Sequence, residues 1–302
     1  METLKANQIY SFLHDSKDVT CVKLAGLSVS SKPGHEVTSY EELLEKVASL
    51  NYYNPSLKLF FRGQRKDYFN YTSDGRPVRS NLYPSILRRL PSNKNERSKV
   101  IRERLSLLRQ ADYVFQEEIR IGYIHRHMLV RWAILQHYEV CPTPLLDLTD
   151  SLQVALSFAA AAESQNGYLY VFGLPYQTGP ISVSVESMTQ VVDLSKLCPP
   201  EVSRPHFQSA YLAADYPTAV YPEDLIQRAP RVEANFACRL LTKFQLNGLE
   251  SWSKTQFNPV SQDILFPNQR DQWYTILADV KTKITQQTNS ADPKNAARSS
   301  GG

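Results

Sequence analysis

Apolar residues recur at helical spacing through the first half of the chain and gather into short runs through the second. Leu43, Leu44, Val47 and Leu50 share one helical face after Ser39, with Glu42 three positions beyond it, so the spacing predicts a capped helix over 40–50. Residues 20–27 read as a strand, and Lys58 to Gln64, apolar and aromatic at its centre, as a short buried strand ending at Gly63. Ile101, Leu105, Leu108, Phe115 and Ile119 form a helical stripe, and a further helix is expected over 123–138. Asp150, with Gln153 three residues on, reads as the N-cap of a helix through Leu152, Ala155, Leu156 and Ala159. Strand-like runs follow at 168–172, 181–185, 191–194 and 236–246. Helices mainly in the first half and strands in the second favour an α+β fold, a single domain with a mostly antiparallel sheet, over regular α/β alternation. The expected organisation is an N-terminal segment over 1–37, the main domain over 38–280, and a disordered tail over 281–302, where polar residues show no periodic apolar face.

Composition narrows the class. The 302 residues are 42% hydrophobic, ample for a core, but no apolar run approaches the roughly 20 residues a membrane helix needs. The N-terminus lacks the basic-then-apolar order of a signal peptide. Cys21, Cys141, Cys198 and Cys238 are widely spaced, without a zinc-ligand pattern, which points to reduced thiols, no metal and a cytoplasmic location. The net charge of +4 is uneven: Arg76 to Arg109 holds ten basic residues against Glu96 and Glu103, leaving the remainder net negative. That segment is either the solvated face of a helix or a surface that steers nucleic acid or an acidic protein.

Two stretches carry candidate chemistry. In the first, Lys58, Phe60 and Arg62 share a strand face, so the Arg62 guanidinium emerges at the strand end, where Gly63 admits close approach of a backbone or a ligand. Arg62 either pairs with a buried carboxylate such as Asp147 or presents its planar donor fork to a pyrophosphate or ribose. In the second, Pro142 and Pro144 hold the chain extended before Leu145 and Leu146. Asp147, Thr149 and Ser151 then cluster at a helix start, either as capping residues or around an anion attracted by free N–H groups. His137 is either a core histidine or a ligand contact, and Tyr138 diverges from it by about 100° on a helix. A Cys141–His137–Asp147 triad is disfavoured by the spacing of Cys141 from His137 and the following proline. Ser151 lacks the glycine elbow of a hydrolase nucleophile.

These stretches resemble the FRG domain family. Phe61, Arg62, Gly63 and Gln64 match its aromatic-Arg-Gly signature. Gln136, His137, Tyr138, Pro142, Thr143, Leu145, Leu146, Asp147, Thr149, Ser151, Ala155, Leu156, Phe158 and Ala159 match its downstream stretch. Glu139 stands where the family usually has glycine, and Leu152 where it often has proline. Leu265-Phe266-Pro267 resembles the closing L-F-P-D-L, with Asn268 in place of aspartate, so the resemblance spans roughly 38–280. The layout is also similar, more distantly, to ADP-ribosyltransferases. That similarity implies NAD as co-substrate and transfer or hydrolytic release of ADP-ribose, as in a toxin or defence effector. Arg62 would then grip phosphate or ribose, among Gly63, Gln64, His137, Tyr138, Asp147, Thr149 and Ser151. Ser151 would help position the reacting group, and Glu233 would act as the carboxylate, with Glu250 and Asp263 as alternatives. The competing reading is a non-catalytic interaction module that binds nucleic acid or a protein.

Overall fold

Among the described residues the strands are β1 (Gln8–Ser11), β2 (Thr20–Lys23), β3 (His35–Val37), β4 (Leu57–Gln64), β5 (Phe69–Tyr71), β6 (Pro77–Ser80), β7 (Leu145–Thr149), β8 (Asn166–Pro175), β9 (Ile181–Ser184), β10 (Thr189–Asp193), β11 (Ala210–Asp215) and β12 (Leu240–Asn247). Eight of them form one mixed sheet in the order β3-β12-β8-β4-β7-β11-β10-β9. Every neighbouring pair is antiparallel except β3 with β12. The structure is a computed structural model and describes residues 8–14, 16–23, 28–71, 76–161, 165–266 and 268–290. The α+β class expected from the pattern of elements is therefore the observed one.

Alternation along the central strands builds two cores. Phe60 of β4 with Tyr170 and Phe172 of β8 pack toward the helices Lys94–Glu118, Met128–His137 and Gln272–Ser290. Leu59 and Phe61, with Leu169 and Val171, face the opposite way, toward the helices Tyr40–Tyr53 and Leu152–Ala159. Successive side chains of a strand point to opposite faces, so Arg62 shares the face of Phe60. In the first layer, Arg131 Nε and Nη2 donate to the two carboxylate oxygens of Asp112 at 2.7 and 2.8 Å, binding two helices together.

Several expectations are corrected. Ser39 caps its helix as predicted, accepting from the Glu42 N–H, but Glu42 reaches back to the Thr38 N–H at 2.9 Å rather than to Ser39. The helix expected over 123–138 is two, Gly122–Arg126 and Met128–His137, separated at His127. Phe236 to Cys238 close a helix, Pro222–Cys238, and the following strand begins only at Leu240. That helix and Gln272–Ser290 place long helical segments in the second half, where mainly strands were expected, and β11 had no predicted counterpart. The tail expected from residue 281 is helical through Ser290, with Val280 and Ile284 buried; residues 291–302 lie outside the described residues. β3, assigned by the sequence reading to a separate N-terminal segment, joins the main sheet beside β12. Of the strand expected over 20–27, only Thr20–Lys23 is described.

Gly63 sets the depth at which the helix Leu152–Ala159 sits on the sheet. A Cβ there would lie 1.7 Å from the Ala155 carbonyl oxygen, and backbone cannot yield as a flexible side chain can. Gly63→Ala should destabilise the fold by about 3 kcal/mol or more by overpacking. Urea denaturation compared with the parent chain checks this.

Candidate functional site

The sheet splits between β4 and β7. β4 pairs with β8 along its whole length, yet meets β7 in register at only Phe61↔Thr149. Beyond that point the strands diverge and a cleft of about 580 Å³ opens, walled by Arg62 and Gly63 on one side and Asp147 and Leu148 on the other. Arg62 spans the divergence. Its Nη1 donates to the Asp147 carbonyl at 2.8 Å and lies 3.7 Å from the carboxylate, the two side chains being 14% and 38% exposed. Arg62 thus makes the pair with Asp147 that was one of its two expected roles, and both residues line the cleft.

Asp147 is held from its other side by Gln136, whose Nε2 donates to Asp147 Oδ2 at 3.0 Å. Gln136 Oε1 accepts from Ser85 Oγ at 2.7 Å and Thr143 Oγ1 at 2.9 Å. The Gln136, Thr143 and Asp147 positions of the second stretch are therefore one hydrogen-bonded knot that fixes a carboxylate opposite Arg62. Next to it stands Arg88, whose Nε donates to the Tyr83 carbonyl at 2.9 Å. Burial, with the neighbouring charge of Arg62 adding to it, pushes the Arg88 guanidinium down to about 10, which leaves it charged at neutral pH.

His137 lines the cleft and is buried, and its Nε2 meets no hydrogen-bond partner among the described residues. Burial, and then the charge of Arg204, hold its pKa well below the ordinary histidine value, so the ring is neutral. Arg204, also in the wall, donates to the His137 carbonyl and, at 3.0 Å, to that of Leu265. Gln208 Nε2 donates to the same Leu265 carbonyl at 2.8 Å, so the Leu265-Phe266 segment is tied to the site by two side chains. Cys141 is a wall residue whose thiol is pushed up to about 12, by burial foremost and then by Asp112, which removes it as a nucleophile at neutral pH.

Other expected site residues do different work. Tyr138 turns away from the cleft: its hydroxyl donates to Asp271 Oδ2 at 2.7 Å, and burial raises its pKa. Ser151, not Asp150, caps the helix Leu152–Ala159, its Oγ accepting from the Val154 N–H at 3.3 Å, and it lies outside the cleft wall. Thr149 is in the wall, but its hydroxyl donates to the Gln208 carbonyl at 2.7 Å and accepts from the Ser151 N–H at 3.0 Å. The anion-binding ring of hydroxyls expected at this helix start is thus occupied by the chain itself. Asp150 instead pairs with Lys58 at 2.7 Å and accepts from Ser209; burial alone would raise its pKa, and these two partners bring it below the usual value. Gln64 belongs to an adjoining cavity.

Two of the expected catalytic carboxylates, Glu250 and Asp263, lie outside the cleft wall. Glu233 lies in the helix Pro222–Cys238, and its side chain is outside the described residues. Glu250 pairs with Lys254 at 2.6 Å, and Asp263 with the exposed Arg270 at 3.0 Å; neither is in the cleft wall, whose acids are Glu139 and Asp147. Glu139 has φ +56°, in the left-handed region that favours glycine, which accounts physically for the glycine expected there from the family resemblance. Among the described residues, no group of three or more His, Cys, Asp or Glu could hold a metal ion, and no helix is long and apolar enough to cross a membrane.

Four arginines of the basic segment Arg76–Arg109 are engaged by the fold or the cleft. Arg104 donates to the Ile86 and Arg88 carbonyls, Arg109 to the Val220 carbonyl, Arg102 faces Glu223 at 3.5 Å, and Arg88 enters the cleft. Arg88 was visible in the sequence only as one member of this run, and Arg204 carried no local signal at all.

With this geometry in place, comparison with known proteins adds one match. The model of the FRG domain family matches residues 58–167, which begins on β4 and takes in both walls of the sheet split. It supports the FRG resemblance of this part of the chain. No curated protein and no solved structure matches the chain.

A neutral buried His137 has a definite pH signature. The unfolded chain protonates this ring below about pH 6.5 while the folded chain does not, so the unfolded state binds more protons there and stability falls as pH drops. The His137 contribution should reach up to about 1.4 kcal/mol per pH unit below 6.5, and His137→Gln should lack it. Denaturant midpoints of both proteins between pH 5 and 8, with the imidazole followed by NMR, check this.

Proposed function

We propose that the cleft binds a nucleotide-like anion, with NAD as the co-substrate, and that the protein transfers or hydrolytically releases ADP-ribose. The observation that carries this reading is the convergence of Arg62 and Arg88 on a cleft of about 580 Å³ at a split in the sheet. Guanidinium forks match pyrophosphate oxygens, and the cleft lies within the size range of ligand pockets, roughly 300–1,000 Å³. An adjoining cavity of about 830 Å³ shares Arg62, Gly63, Arg88 and Phe158 in its wall, so an extended ligand with its pyrophosphate at the arginines has space on both sides.

In this reading Arg62 and Arg88 grip the phosphates. His137 Nε2 hydrogen-bonds a neutral polar group such as a ribose hydroxyl or carboxamide. Asp147 replaces Glu233 as the carboxylate that stabilises the oxocarbenium-like centre. The glycosidic C–N bond breaks, nicotinamide leaves with the electron pair, and water or an acceptor hydroxyl adds at the same carbon and loses its proton. The non-catalytic reading has its own support in Thr149 and Ser151, whose hydroxyls serve the local fold.

The test is titration calorimetry with NAD, alongside chromatographic detection of nicotinamide in the presence of candidate protein and nucleic-acid acceptors. Arg88→Ala removes a charged hydrogen-bonding partner of about 1.5–3 kcal/mol, so NAD should bind roughly 10- to 150-fold more weakly. Asp147→Asn, checked by its melting curve, should bind NAD and lose turnover. Equal binding by Arg88→Ala, or no NAD binding by the parent chain, sinks the reading.

A further inference from the structure

The second cavity, about 830 Å³, differs in chemistry from the cleft it adjoins. Arg62, Arg65, Lys66, Arg88 and Arg89 place five cationic groups in its wall. Among the described residues Asp67 is the one acid in that wall, and it is already matched: Lys243 Nζ lies 2.6 Å from Oδ2 and the Tyr170 hydroxyl 2.7 Å from Oδ1. The Lys243–Asp67 pair is almost wholly buried, so it anchors the loop between β4 and β5 without lowering the positive potential outside.

Aromatic faces are interleaved with these charges. Tyr68 and Tyr71 stand 49% and 64% exposed at the cavity, and Phe69 lies beneath Lys243, whose Nζ is 5.5 Å from its ring centroid. On the far side Phe158 and Phe266 meet edge to face with centroids 5.7 Å apart. Gln64 Oε1 is buried in the same wall with no hydrogen-bond partner among the described residues, an acceptor suited to an exocyclic amino group.

From this arrangement we infer that the second cavity is a binding site for single-stranded nucleic acid, with backbone phosphates on Arg65, Lys66 and Arg89 and an unpaired base stacked against Tyr68 or Tyr71. Cations tracking a backbone beside aromatic platforms are the general means of holding a single strand. A duplex keeps its bases paired and cannot put one into a concave wall without extruding it. An acidic peptide would use the charges and leave the aromatic faces and Gln64 idle. The site takes only Arg88 and Arg89 from the Arg76–Arg109 segment considered from sequence and joins them to Arg62, Arg65 and Lys66, and the inference stands whether or not the cleft turns over NAD.

The experiment is fluorescence anisotropy of the full chain with a labelled mixed-sequence single-stranded DNA and the corresponding RNA, over a range of salt, with the duplex and polyglutamate as competitors. Either single strand should bind, each outcompeting duplex and polyglutamate. The double variant Arg65→Glu/Lys66→Glu should bind at least about tenfold more weakly and show a shallower salt dependence, since fewer counterions are released. Tyr68→Ala should weaken binding without changing the salt slope, because it removes stacking and no charge. Lys99→Ala, on the distant Lys99–Glu103 pair, should behave as the parent chain. Melting curves confirm that each variant is folded; both Arg65 and Lys66 are exposed. No binding to either strand overturns the inference, as does equal competition by duplex or polyglutamate, or undiminished binding by the double variant.

Discussion

The hydrogen bond from Arg62 to the Asp147 carbonyl crosses the place where two neighbouring strands stop pairing. A ladder continued past Phe61↔Thr149 would satisfy the backbone and leave no room between β4 and β7. Instead a long side chain reaches over and meets the carbonyl at 2.8 Å, so the strands stay apart and a cleft opens in the middle of the sheet. The guanidinium that satisfies that carbonyl remains partly exposed to whatever enters. Support for the split and a positive charge facing the cleft therefore reside in one residue.

Around this bond the polar residues of the second stretch are mostly architectural. Gln136 orients the Asp147 carboxylate and is itself held by Ser85 and Thr143; Thr149 joins β7 to the turn at Gln208; Ser151 starts the helix. Buried polar groups cost free energy unless paired, so such a knot specifies one arrangement of the strand ends. The Leu265-Phe266 segment joins it from far along the chain through Arg204 and Gln208.

Electrostatically the region is sorted into two kinds of charge. Lys243–Asp67, Arg131–Asp112 and Lys58–Asp150 are matched pairs that brace helices and strands. Among the described residues, Arg62, Arg88 and their neighbours at the second cavity outnumber the acids of the same walls. Like charges held together in a concave, partly dry wall raise the potential there, which favours an anionic ligand far more than the overall charge of +4 would suggest.

What the chain reveals locally is whatever depends on periodicity and short-range steric rules. The helix after Ser39, the stripe from Ile101 to Ile119, the buried strand around Phe61 and the need for glycine at position 63 were all legible in that way, as were Arg62, His137 and Asp147 as candidate site residues. Only the tertiary structure could tell which hydroxyls are already engaged, since the partner of Thr149 lies 59 residues away and that of Tyr138 lies 133. It alone moved the cap from Asp150 to Ser151, drew Arg88 out of a basic run into the cleft, brought in Arg204, and left Glu250 and Asp263 at the surface. Secondary structure follows from neighbours along the chain, whereas a site is made of residues remote in sequence, and their meeting depends on how strands pair and where that pairing stops.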